Sequence, residues 1–205
     1  VTFDRSQALS NDDVHFLTWE HPMTSGTIDM LLGGEFGNAS MGTISARGLT
    51  AGTLLIETLF VIVSPAPRAY RIQRFLPQSI LRLVVDTAGE DRTASFESQW
   101  LRSNVRDLAP LTAQKVLNKT HTQIAALVDQ SSHLAELKAE IFIGQATTSV
   151  ATELDYEIDR LQQLARANPN VRQKEISYLE SYKRNLDKYL RNAQLKLDSV
   201  RVVIA

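Results

Sequence analysis

Apolar residues recur late in the chain at Ile176, Leu179, Tyr182, Leu186, Leu190, Ala193, Leu197 and Val200, three or four positions apart. That repeat belongs to helices packed at a shallow angle and predicts a helix over 171–200. Upstream, Val150, Leu154, Ile158, Leu161 and Ala165 form a matching stripe. Asn168-Pro169-Asn170 joins the two, with Asn170 placed to cap the second helix and Gln173 to reach back as in a capping box. An antiparallel helical hairpin follows. A single rod over 112–166 would run about 80 Å at 1.5 Å per residue, so a break is expected near Gln130–Ser132 or around Gly144–Ser149. At Val200–Ile204 the period changes to that of a short strand returning to a sheet in the first half.

That first half has strand chemistry. Residues Thr53–Val63 are dense in Leu, Ile, Val and Phe and read as a strand buried on both faces, in which Glu57 needs a partner. Pro65 and Pro67 turn the chain. Tyr70 and Ile72 then alternate with Arg71 and Gln73, the pattern of a half-buried strand. Ile80–Asp86 is another, and Asp86-Thr87-Ala88-Gly89 is a turn into a short strand at Thr93–Glu97. Consecutive hairpins make an antiparallel meander the simplest topology. Phe16–Leu32 reads as helical around an entry at Pro22, with Ile28, Leu31 and Leu32 on one face and Gly33-Gly34 as its stop.

Eight of the nine glycines and five of the six prolines lie in 1–110, whereas all seven lysines follow it. Glycine and proline punctuate turns, so Pro110 is the expected hinge between a turn-rich half and a helical half. The expected class is α+β: an antiparallel meander with an N-terminal helical segment, a long helical hairpin and a C-terminal strand returning to the sheet. Residues 1–110 would hold the helical entry and β-rich part, and 111–205 the hairpin and terminal strand, together one folded unit.

Composition narrows the function. At 205 residues, 43% hydrophobic and 22% charged, the chain can bury a core without staples. Its net charge of −1 carries no bulk attraction to nucleic acid or anionic membrane. The absence of cysteine removes thiol nucleophiles, disulfides and cysteine-based metal sites, and fits a reducing, cytoplasmic setting. The longest apolar run, Leu54–Val63, is broken by Glu57 and Thr58 and is too short to span a membrane. The opening residues do not read as a signal peptide, and a start at Val1 rather than Met suggests a piece of a longer protein.

Catalytic motifs are missing. No glycine precedes a lysine, so there is no GxxxxGK[ST] phosphate loop, nor any GxSxG, HExxH or CxxC. Gly33-Gly34-Glu35-Phe36-Gly37 follows a helix rather than a strand and reads as a plain loop. Asp12, Asp13, His15, Glu20 and His21 crowd together without a metal-ligand spacing. His121 and His133 would stand roughly 18 Å apart on a helix, too far to share a metal. One charge feature stands out. No acidic residue lies between Glu57 and Asp86, while Arg68, Arg71, Arg74 and Arg82 occur there, interleaved with Tyr70 and Phe75. These four are candidate contacts to a partner's acidic surface or to phosphates, set against ordinary solvated arginines paired with carboxylates of the helical half. Lys183, Arg184, Lys188, Arg191 and Lys196 read as the wet side of the last helix.

The string Phe16-Leu17-Thr18-Trp19-Glu20-His21-Pro22-Met23 is distinctive. Ala51-Gly52-Thr53-Leu54-Leu55-Ile56-Glu57, Arg74-Phe75-Leu76-Pro77, Ala167-Asn168-Pro169-Asn170 and Leu197-Asp198-Ser199-Val200-Arg201-Val202-Val203-Ile204 follow in order. Together they resemble the C-terminal region of the RapA family of bacterial RNA polymerase-associated, SWI/SNF-type helicase-like ATPases. The resemblance implies a parent that binds RNA polymerase, hydrolyses ATP with Mg on a two-lobed motor, and helps recycle polymerase in transcription. The family's nucleotide-binding motifs lie upstream, so no catalytic residue transfers and no cofactor is expected in this stretch. Implied partners are RNA polymerase core or holoenzyme and the parent's ATPase lobes, with DNA or RNA in addition and no membrane. The expected role is a non-catalytic accessory domain. The alternative is a nucleic-acid-binding module that assists the motor.

Overall fold

A computed structural model describes residues 1–32, 38–45, 49–77, 80–168 and 170–205. The chain divides into two compact units, Val1–Asn38 and Ala39–Ala205.

In the first unit the Asp4 carboxylate accepts the Ser6 and Gln7 N–H groups and caps a short helix, α1 (Arg5–Ser10). The next helix, α2 (Pro22–Leu32), opens at the proline. Phe16–His21 stays outside it, contrary to the expected helix. Phe16 instead bridges to Thr2, and the His21 ring accepts the Met23 N–H at 3.1 Å. The expected Gly33-Gly34 stop and the Gly33–Gly37 loop lie outside the described residues, as do the side chains of Leu31 and Leu32.

The second unit is built on five strands: β1 (Ala39–Thr43), β2 (Leu54–Val63), β3 (Ile80–Asp86), β4 (Arg106–Asp107) and β5 (Gln194–Ile204). Their order is β3-β2-β5-β1-β4. β2 pairs antiparallel with β3 and β5, whereas β5 runs parallel to β1. The α+β class holds and the terminal strand returns, but the sheet is mixed rather than a pure meander, because β5 inserts between β1 and β2. β5 also starts earlier than expected. Leu195 and Leu197 alternate with Lys196 and Asp198, a period of two that the spacing of Leu197 and Val200 had folded into the helical seam.

Two expected strands are absent. Residues 68–74 form two 3-10 turns, Arg68–Tyr70 and Ile72–Arg74, joined by Arg71 at φ 46°, ψ 42°. Four residues are too few to separate alternation from a turn in which only Ile72 is buried. Residues 93–97 do not pair because local turns take their N–H groups: Asp91 Oδ1 accepts that of Thr93 at 2.9 Å, and Arg92 O accepts those of Ser95 and Phe96. The preceding turn is as expected, with Gly89 at φ 78° donating its N–H to Asp86 O. A short helix, α3 (Ser98–Asn104), buries Leu101 on Leu55, Val84 and Val203 of the sheet.

The hairpin is α4 (Pro110–Ala167) and α5 (Gln173–Arg191). α4 is continuous for 58 residues, with no break at Gln130–Ser132 or Gly144–Ser149. Its hydroxyls are satisfied without opening the helix: Ser132 donates to Val128 O, Thr148 to Gly144 O, and Ser131 meets Thr58 of β2. Small residues Ser131, Ala135, Ala139 and Ala146 line the buried face and let the helix lie close over the sheet. Val150 and Leu154 of α4 then meet Leu186 and Leu190 of α5 over Phe60, Ile62, Leu81 and Leu83. The cap of α5 is Arg172, not Asn170, whose N–H is held by Asn168 Oδ1 at 3.0 Å. Pro169 lies outside the described residues.

Candidate interaction face at the turn between β2 and β3

The four arginines divide by what their guanidinium groups touch. Arg82 stands on β3, on the sheet face away from α4, where its Nε–H donates to Glu57 Oε1 at 2.5 Å. Arg201 of β5, opposite Glu57 in the register, reaches Oε2 at 3.1 Å. This trio supplies the partner that Glu57 required. Arg74 pairs with Glu153 of α4 and lies 5.5 Å from the Phe75 ring centroid. Arg68 and Arg71 are exposed and project from the two 3-10 turns.

Beneath those turns lies a feature that periodicity alone did not reveal. The Tyr182 hydroxyl of α5 donates to Tyr70 O at 2.7 Å, and Asn185 Nδ2 donates to the Tyr70 hydroxyl at 2.9 Å. These bonds clamp the turn to the helix. Tyr70 and Tyr182 stack with centroids 5.5 Å apart and planes 8° from parallel. Tyr178 continues the column at 6.2 Å and 17°, while Tyr189 tilts against Tyr70 at 5.0 Å. Burial pushes the Tyr182 hydroxyl above its ordinary pKa, helped by Tyr178 and Glu153 and opposed by Arg74 and Arg71. A depression of about 330 Å³ lined by Ala69, Tyr70, Tyr178, Ser181, Tyr182 and Asn185 opens beside the column. The available signal was the spacing of Tyr178, Tyr182, Asn185 and Tyr189 on one helix face.

Other charged pairs hold structure together. Asp86 accepts Arg92 Nε–H at 2.7 Å and the N–H groups of Ala88 and Glu90. Lys138 of α4 reaches Asp91 at 2.8 Å, and Lys183 of α5 reaches Asp155 of α4 at 2.5 Å. Among the described residues, no group of three His, Asp or Glu side chains could hold a metal, the Asp12–His21 cluster included. No helix among them is long and apolar enough to cross a membrane.

The fold and its surface define an α+β domain whose interior charges serve the sheet and whose outer turn offers arginine and tyrosine. Across all 205 residues, the chain belongs to the RNA polymerase recycling family C-terminal. Relatives named RNA polymerase-associated protein RapA are 33% identical over 204 residues in Vibrio parahaemolyticus and 35% over 207 in Vibrio vulnificus strain YJ016. In Haemophilus influenzae strain PittEE the figure is 35% over 204 residues. Each match covers 100% of this chain, which spans only 21–22% of the relatives' length.

Proposed function

We propose that this chain is the non-catalytic C-terminal accessory domain of an RNA polymerase-associated, ATP-dependent translocase of the SWI/SNF type, working in the cytoplasm to recycle polymerase. ATP and Mg would act on the parent's motor lobes. This domain would supply shape and contact surface to polymerase, to those lobes, or to both. One observation supports the reading above the rest: the buried polar side chains are all engaged in internal bonds, Glu57 between strands, Thr58 with Ser131 of α4, and Asp86 with the turn that follows β3. Groups so engaged are scaffold, which leaves the surface to do the work. Arg68 and Arg71 of the outer turn are the contact candidates, since Arg74 is paired with Glu153 and Arg82 with Glu57.

The test is capture of core polymerase by the intact protein and by a form lacking this chain, with ATP turnover measured on the chain alone. The reading expects capture to weaken on deletion and the chain to turn over no ATP. Undiminished capture, or turnover by the chain, overturns it.

A further inference from the structure

We propose that the tyrosine column of α5 and the turn above it form a binding site for single-stranded nucleic acid, a base stacking on Tyr178 and the flanking phosphates meeting Arg68 and Arg71. The inference rests on the reading above only in placing the contact face at this turn.

Geometry comes first. Three rings, Tyr70, Tyr182 and Tyr178, lie nearly parallel in one column, and its outer member Tyr178 is 67% exposed. A column closed at one end and open at the other is what an unpaired base extends, because every base has a π-face to stack. The depression beside the column presents the tyrosine rings together with the Ser181 hydroxyl and the Asn185 amide. Those polar groups suit the edges of a base.

Charge and backbone add independent support. Residues 58–85 contain no carboxylate, and Glu153, which faces the column from α4, is paired with Arg74. Arg68 and Arg71 therefore stand over the turn unopposed from their own segment. Arg71 also holds a left-handed conformation, φ 46°, the one such non-glycine among the described residues. Glycine would take that turn without strain. Strain of this kind gathers where a side chain must be aimed, and the clamp from Tyr182 and Asn185 to Tyr70 holds it in place.

The experiment is a fluorescence-anisotropy titration of the intact protein with labelled oligouridylate and oligothymidylate of about ten nucleotides, against a duplex of like length. Tyr178→Ala should weaken single-strand binding about ten-fold, the loss of one stacked base, while Tyr178→Phe, which keeps the π-face, should retain it. Arg71→Gly should unfold at higher temperature yet bind more weakly. Its salt slope should fall by about 0.7, the share of one phosphate on a single strand. Polymerase capture by Tyr178→Ala separates this inference from the proposed function. Capture kept with oligonucleotide binding lost supports the site. Single-strand binding that is absent, no better than duplex binding, or indifferent to Tyr178→Ala overturns it and leaves the accessory role standing. So does loss of capture with oligonucleotide binding unchanged, which would make this face a protein-docking surface.

Discussion

Glu57 sits midway along the most apolar strand of the chain, and its burial alone announced a partner. Which partners they are depends on strand register. Arg201 is opposite it on β5 and Arg82 is a neighbour on β3, a juxtaposition that only the pairing creates. Glu57→Ala would leave two guanidinium groups uncompensated, and we expect a loss of about 3–5 kcal/mol in urea unfolding. On the opposite face of the same strand, the fully buried Thr58 and Ser131 hydroxyls bond each other. Thr58→Val or Ser131→Ala alone should cost about 1–3 kcal/mol by stranding a hydroxyl, and the double variant less than the sum. Asp86 gives a pH test. Burial acts to raise its carboxyl, but Arg92 and the Glu90 and Ala88 N–H groups outweigh it and hold it below the ordinary 3.8. A depressed folded pKa contributes stability that is complete above the unfolded value and is lost as pH falls through the folded one. Asp86→Asn should therefore flatten the decline in urea midpoint below pH 3.8, leaving the slope above it unchanged.

Among the elements, those with long, unambiguous patterns were legible in the sequence. The hairpin stripes as far as Leu190, together with β2 and β3, stand where the hydrophobic spacing put them, and the turn at Gly89 where its turn residues did, whereas Leu197 and Val200 left the stripe for β5. β1, Ala-Ser-Met-Gly-Thr, carries no hydrophobic signal and forms only because β5 and β4 flank it. Gly42, its fourth residue, shows how tight that is: an added Cβ would meet the Val105 side chain and lie 2.8 Å from Arg106 O. Gly42→Ala should cost about 1–3 kcal/mol, and chemical shifts should move most along Val105–Asp107. The continuity of α4 was equally hidden. Serines and a glycine read as a breaker in isolation, whereas packing on the sheet makes Ser131 a requirement. The tyrosine column escaped for another reason. Periodicity marks which residues share a face, but the turn that completes the column comes from Tyr70, far away in sequence.

For the unit Ala39–Ala205 as a whole, long-range pairing decides the architecture. Its cores lie on both faces of the sheet, with α4 over Ile56, Val85 and Val202 on one side and α3 over Leu55, Val84 and Val203 on the other. Burial on α4 begins only at Ile124, so its first turns project past the core. A helix without packing is marginal in water. Amide exchange should accordingly be much faster over Leu111–Thr122 than over Ala135–Leu154, and equal protection of both would contradict this account.

The place of β5 also has a consequence for biosynthesis. The middle strand of the sheet is the last of the five to leave the ribosome, after all of α4 and α5 has been made. Until Gln194–Ile204 emerges, β1 and β2 have no shared neighbour, and the apolar length of β2 keeps an open edge. Nascent chains halted before Gln194 therefore expose to chaperones and proteases a strand edge that the finished sheet covers.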